Sequence, residues 1–176
     1  MSLFFNVLSS INNPNQQGSI DQLSSVMNSV QQLTASQGLK QDQMASVLNS
    51  LGGALQPALK QQSATMGGGQ MDGLIGQLAN AGGSLTGLQS AIPPQMQQQL
   101  IQSVAQKSGL NAGMVQAMLP KLLPMVMGLL GMGAAKPGAT QGGNALLDAF
   151  LNSGSGNSTD LGTVMKFAGR FLNPPT

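Results

Sequence analysis

Apolar residues recur along this chain every three to four positions, and the breaks between runs are made of glycine, proline and asparagine. That spacing predicts amphipathic helices, because it places one stripe of side chains on one helix face. Leu3 to Ile11 reads as a short apolar helix stopped by Asn12-Asn13-Pro14-Asn15. A longer helix runs from about Ser19 to Ser36, capped by Ser19, with Asp21 at its positive end and Ile20, Leu23, Val26/Met27, Val30 and Leu33 as its stripe. Gly38 supplies the left-handed turn that follows. The next helix starts near Gln41, with Met44, Val47/Leu48, Leu51, Leu55 and Ala58/Leu59 on one face. Pro57 is expected to end or kink it, and Gly52-Gly53 calls for close packing of another backbone.

Residues 61–69 read as a linker and Met71 to Leu78 as a short helix ending at Gly82-Gly83. Pro93-Pro94 then opens a helix with Met96, Leu100/Ile101 and Val104/Ala105 on one face. Gly109 turns the chain, Asn111 can cap, and a very apolar helix follows through Met114/Val115, Met118/Leu119, Leu122/Leu123, Val126 and Leu129/Leu130. Pro120 and Pro124 are expected to kink or split it. Residues 131–143 read as Gly/Ala/Pro-rich linker, Asn144 to Asn152 as a short helix, and residues 153–159 as flexible. A last helix runs from about Asp160 to Leu172, with Leu161, Val164/Met165, Ala168 and Phe171/Leu172 inward.

Shifted by 71 residues, the two helical hairpins coincide: Val30 falls on Ile101, Leu33 on Val104, Gly38 on Gly109, Met44 on Val115, Leu51 on Leu122 and Leu59 on Leu130. An internal repeat is one explanation, and the general likeness of amphipathic hairpins is the other. No stretch alternates with period two, so the expected fold is all-α and multihelical. It comprises two related helical hairpins plus short N- and C-terminal helices joined by Gly-rich linkers. The expected regions are 1–62 for the first hairpin, 63–133 for the second, and 134–176 for the linker and C-terminal helices, packed as one domain.

The segment Ile101-Gln102-Ser103-Val104-Ala105-Gln106-Lys107-Ser108-Gly109-Leu110, followed by Met114 to Pro124, resembles the YidB-like family of uncharacterised bacterial proteins. The opening Leu3-Phe4 with Val7-Leu8 is similar too. The resemblance is strongest over 95–130 and weaker over 19–60. Family members follow the turn with Ser-Pro and two acidic residues, where this chain has Asn111-Ala112-Gly113-Met114 and Lys40-Gln41-Asp42-Gln43. The resemblance implies a multihelical fold and lends no activity.

Composition changes the picture in one respect. The chain has 176 residues but seven basic and five acidic side chains, with no Glu, His, Cys, Trp or Tyr, where a typical soluble domain is about a quarter charged. Its polarity comes from Gln, Asn and Ser, including Gln97-Gln98-Gln99. A surface of neutral amides carries little charge to hold copies apart. Without His or Cys the common activated nucleophiles are excluded, and without Cys, His or Glu the usual zinc and iron ligands are missing. The aspartates at 21, 42, 72, 148 and 160 are too dispersed for a calcium loop. Residues 131–136 (Gly-Met-Gly-Ala-Ala-Lys) fall short of a dinucleotide fingerprint and read as linker, as does the run of three glycines at 67–69. No catalytic, cofactor-binding or metal-ligating residue is expected, and no cofactor.

A net charge of +2 with five aromatic residues argues against a nucleic-acid partner. No signal peptide and no stable membrane span are expected, which reads as a cytoplasmic protein. The expected function is a non-enzymatic structural protein that self-associates into a homo-oligomer or filament-like assembly. The alternative is a monomeric binding module with a Met-rich apolar groove for a partner helix or lipid. Candidate assembly or groove residues are Met114, Met118, Leu122, Met125, Val126, Leu129, Phe167 and Phe171, with Gly38 and Gly109 as helix-turn glycines. The methionines fit either a pliable groove or filler in a glycine-loosened core. Lys166 and Arg170 lie one turn apart beside Phe167 and Phe171, a membrane-surface pattern that also suits a plain solvated helix.

Overall fold

The computed structural model describes residues 3–67, 69–70, 73, 75, 92–134, 144–152 and 161–174. Among these the fold is all-α, with seven helices and no strand: α1 (Leu3–Asn12), α2 (Ile20–Ser36), α3 (Gln41–Met66), α4 (Pro94–Ser108), α5 (Ala112–Gly131), α6 (Ala145–Asn152) and α7 (Leu161–Leu172). Residues 69, 70, 73 and 75 are also helical; most of the short helix expected over Met71 to Leu78 lies outside the described residues.

The helix ends follow local chemistry. Ser19 Oγ accepts a hydrogen bond from the Gln22 backbone N–H at 3.2 Å, the usual way an N-cap satisfies an orphan donor. At the start of α3, Lys40 offers no acceptor, and Gln43 Oε1 instead accepts from the Lys40 backbone N–H at 3.0 Å. Asn111 starts α5 without a side-chain cap. Gly38 and Gly109 both take left-handed backbone, with φ 63° and 71°, a conformation that costs a residue with a Cβ about 1 kcal/mol or more.

At three prolines one of the two expected outcomes is removed, the ending or splitting of the helix. Pro57 neither ends nor splits its helix: α3 continues to Met66, past the boundary expected at residue 62 and into the expected linker. Pro120 and Pro124 likewise lie inside one helix, α5. Pro57 is exposed and Pro120 and Pro124 are only partly buried. The carbonyls they leave without an intrahelical donor therefore lie toward the wetter side, where water can take over.

Nor does another backbone lie over Gly53: a Cβ there would meet nothing closer than Lys107 Nζ at 3.8 Å. Gly53→Ala should therefore raise stability by about 1 kcal/mol, the helix-interior difference between the two residues. A urea midpoint that stays put or falls would show that the glycine is needed there.

The core is a single cluster drawn from every helix. Among the four hairpin helices the largest contact runs across the hairpins, while α4 and α5 also pack on each other within theirs. The most extensive contact is α3 on α4, and α2 packs on α5, whereas α2 and α3 touch little. Under the 71-residue offset α2 corresponds to α4 and α3 to α5, so these two contacts exchange, as the contacts of an isologous pair do. Burial follows the same offset: Leu48 and Leu119, Leu51 and Leu122, Leu55 and Val126, and Leu59 and Leu130 are all core. The α1, α6 and α7 helices cover the remaining side, α7 resting on α3, α1 and α2, and α6 on α1, α3 and α5.

Carboxamides fix that cover in place. Asn144, 3% exposed, caps two helices at once: its Nδ2 donates to the Leu130 carbonyl of α5 at 2.8 Å, and its Oδ1 accepts from the Leu147 N–H of α6 at 2.9 Å. From α3, Gln56 Nε2 donates to the Phe150 carbonyl at 2.9 Å, near the end of α6. Also from α3, Asn49 Oδ1 accepts from the Gly162 N–H at 2.6 Å, at the start of α7. Gly162 lets α7 come this close, since a Cβ there would stand 2.5 Å from the Ala45 carbonyl oxygen.

Candidate docking surfaces

The structure separates the candidate residues into two groups. Met118, Leu122, Val126 and Leu129 are fully buried in α5, and Met114 and Met125 are partly buried and packed against the same core. They do not line an open groove. The inner face of α5 is already filled by α2, α4 and α6, so the methionines act as filler for a core loosened by glycine. This helix is also the one described helix long and apolar enough to cross a membrane, by length and composition alone. Nine of its side chains belong to the protein core.

Phe167 and Phe171 go the other way, 45% and 50% exposed. Phe171 was expected to face inward with Leu172; instead α7 turns Leu161, Val164, Met165 and Ala168 to the core. Two adjoining residues were missed by sequence reasoning. Phe5 is 66% exposed on α1. Phe4, packed partly against the core, stacks on Phe167 with ring centroids 5.4 Å apart and meets Phe5 at 6.3 Å. Four of the chain's five phenylalanines thus form one continuous face on α1 and α7, and only Phe150 is core. The adjacent pair Phe4-Phe5 was the available signal, because two neighbours on a helix cannot both point straight inward.

Lys166 and Arg170 are exposed within the same stripe of α7. Lys166 Nζ is 3.0 Å from an Asp42 carboxylate oxygen, but both side chains are well exposed. Such a pair contributes at most about 1 kcal/mol and is readily broken by a competing anion.

A third surface is polar. Gln95, Gln98, Gln99, Gln102 and Gln106 are all exposed, and their spacing puts them on one face along the length of α4. No charge interrupts the stripe before Lys107.

Chemistry elsewhere is spoken for. The buried Ser10, Thr34 and Ser50 hydroxyls each donate to a carbonyl one turn back, and Asn144 is doubly bonded. Among the described residues no buried side-chain nitrogen or oxygen lacks a partner. None of them groups three metal-ligating side chains either. Asp72 and Asp160 lie outside the described residues. Neither a family model nor a curated protein nor a solved structure matches this chain.

Proposed function

We propose that this chain is a non-enzymatic structural protein that self-associates, building a homo-oligomer or filament-like assembly from copies of itself. One observation carries the reading: the unbroken carboxamide stripe Gln95, Gln98, Gln99, Gln102 and Gln106 on the outer face of α4. Each carboxamide both donates and accepts hydrogen bonds, so a row of them is complementary to a second row of the same kind. A net charge of +2 over 176 residues adds little repulsion between copies. The stripe lies on α4, whose other sides pack on α3 and α5, so it is open to a neighbour without rearrangement of the fold.

Size-exclusion chromatography with light scattering tests this. The wild-type chain should run well above 17.9 kDa and shift with concentration. Gln98→Glu with Gln102→Glu would set like charges against each other across paired stripes, and association should weaken roughly tenfold or more. Both changes keep good helix formers at exposed sites, so the far-ultraviolet circular dichroism should not change. A wild-type monomer at every concentration tried, or a double variant with unaltered size, would defeat the proposal.

A further inference from the structure

The phenylalanine face of α1 and α7 is separate from the glutamine stripe and has different chemistry. Four phenylalanines run together there, Phe5, Phe4, Phe167 and Phe171, three of them among the five exposed large apolar side chains of the described residues. Leaving such rings in water is unfavourable relative to burying them. A contiguous apolar patch of this kind marks an interaction site.

The charges beside it select the partner. On the exposed stripe of α7 the residues alternate as Lys166-Phe167 and Arg170-Phe171, one turn apart, with no acidic residue in the helix. Among the described residues the acid that meets these cations is Asp42 on α3, paired with Lys166. A second copy of the chain would bring the same cations and no surplus acid, since acidic side chains number five against seven basic ones. An anionic bilayer supplies both missing complements: hydrocarbon for the rings and phosphates for Arg170 and Lys166. Phenylalanine and cations on one helix face are also the arrangement that lies flat in the headgroup region, with the rings reaching the acyl boundary and the long basic side chains bending up to the phosphates.

We infer that the α1/α7 face seats this protein on the surface of a bilayer containing anionic phospholipid. The folded core stays outside, because the contact uses the exposed Phe5, Phe167, Phe171, Lys166 and Arg170, with Phe4 only partly buried behind them. Asp42 tempers the binding, since it competes with lipid phosphate for Lys166.

Vesicle co-sedimentation of the full chain tests the inference, using pure phosphatidylcholine and an equal mixture of phosphatidylcholine and phosphatidylglycerol. Binding should occur on the mixed vesicles, fall with added salt, and be weak on phosphatidylcholine alone. Arg170→Gln should reduce partitioning about five-fold, the usual effect of one cation near an anionic surface. Phe167→Ser with Phe171→Ser should reduce it more than ten-fold. Asp42→Asn should raise it by freeing Lys166, a gain that a merely structural role for the ion pair would not give. Thermal melts of each variant establish that the fold is intact; all four positions are exposed. No binding to mixed vesicles, or equal binding to both vesicle types, would overturn the inference. So would a phenylalanine variant that changes oligomeric state while leaving vesicle binding alone, which would assign the face to a second copy. Gln98→Ala with Gln102→Ala, which alters the α4 stripe and no charge, should leave partitioning of the monomer fraction unchanged, so the two proposals fail separately.

Discussion

Leu122→Ala is expected to destabilise the protein by about 3 kcal/mol, within the range measured for removing a leucine side chain from a packed interior. Leu122 is 1% exposed in the middle of α5, and its counterpart Leu51 is 0% exposed in the middle of α3. Leu51→Ala should cost nearly the same, since Leu51 is equally buried and lies at the matching position under the 71-residue sequence offset. Both losses come from the same source: transfer of apolar surface back to water plus the cavity that the neighbours cannot collapse to fill. Urea unfolding monitored by circular dichroism gives the numbers. A loss below about 1 kcal/mol at Leu122, against a full loss at Leu51, would mean that α5 presents an open groove after all. A shared loss with no change in oligomer size would place both leucines in the core and outside any assembly contact.

Asn144→Ala should be nearly as damaging, at about 2 to 3 kcal/mol, for a polar reason. The substitution removes the acceptor at the start of α6 and the donor to the Leu130 carbonyl in a single step. Leu130 is itself fully buried, so no water replaces the lost partner, and its carbonyl keeps only the longer bond from the Gly133 N–H at 3.3 Å. Asn144→Ser separates the two contributions: a hydroxyl can still accept from the Leu147 N–H but is too short to reach Leu130. It should recover roughly half of the loss, an N-cap being worth about 1 kcal/mol. Equal losses for Ala and Ser would assign the whole effect to the bond with Leu130. No loss in either would mean that the junction between α5 and α6 does not depend on this amide.

Both predictions concern how a charge-poor sequence holds itself together. With one ion pair among the described residues, the polar interactions that position helices are made by carboxamides. Asn49, Gln56 and Asn144 each reach the end of another helix, where up to four backbone groups lack an intrahelical partner. The same residue type that coats α4 outside therefore caps helix ends inside. Sequence alone does not separate these uses, because an asparagine or glutamine on a helix has no periodic signature that distinguishes a cap for a distant helix from a solvated side chain. Asn49 lies 113 residues from the N–H it serves.

The helices themselves were readable, since a 3.6-residue repeat of apolar side chains is a local property, and so were the left-handed glycines at 38 and 109. Their lengths were less so. Pro57, Pro120 and Pro124 sit in unbroken helices, because burial of the opposite face outweighs the hydrogen bonds that proline removes, a comparison that needs the tertiary structure. The methionine cluster was ambiguous for a related reason. Composition shows that α5 is apolar all round but leaves open whether its neighbours cover it.

The amino-acid sequence by itself determined the all-α class, the turn positions and the narrow chemical inventory, because each depends on residues near one another or on what is absent from the chain. Tertiary structure alone decided which helices pair and which apolar side chains stay in water. In α7 both Val164/Met165/Ala168 and Phe167/Phe171 recur at helical spacing, so periodicity leaves the rotation of the helix open. The close approach of Gly162 to Ala45, with its N–H bonded to Asn49, sets that rotation. It turns the aliphatic face to the core and leaves the phenylalanines outside beside Lys166 and Arg170.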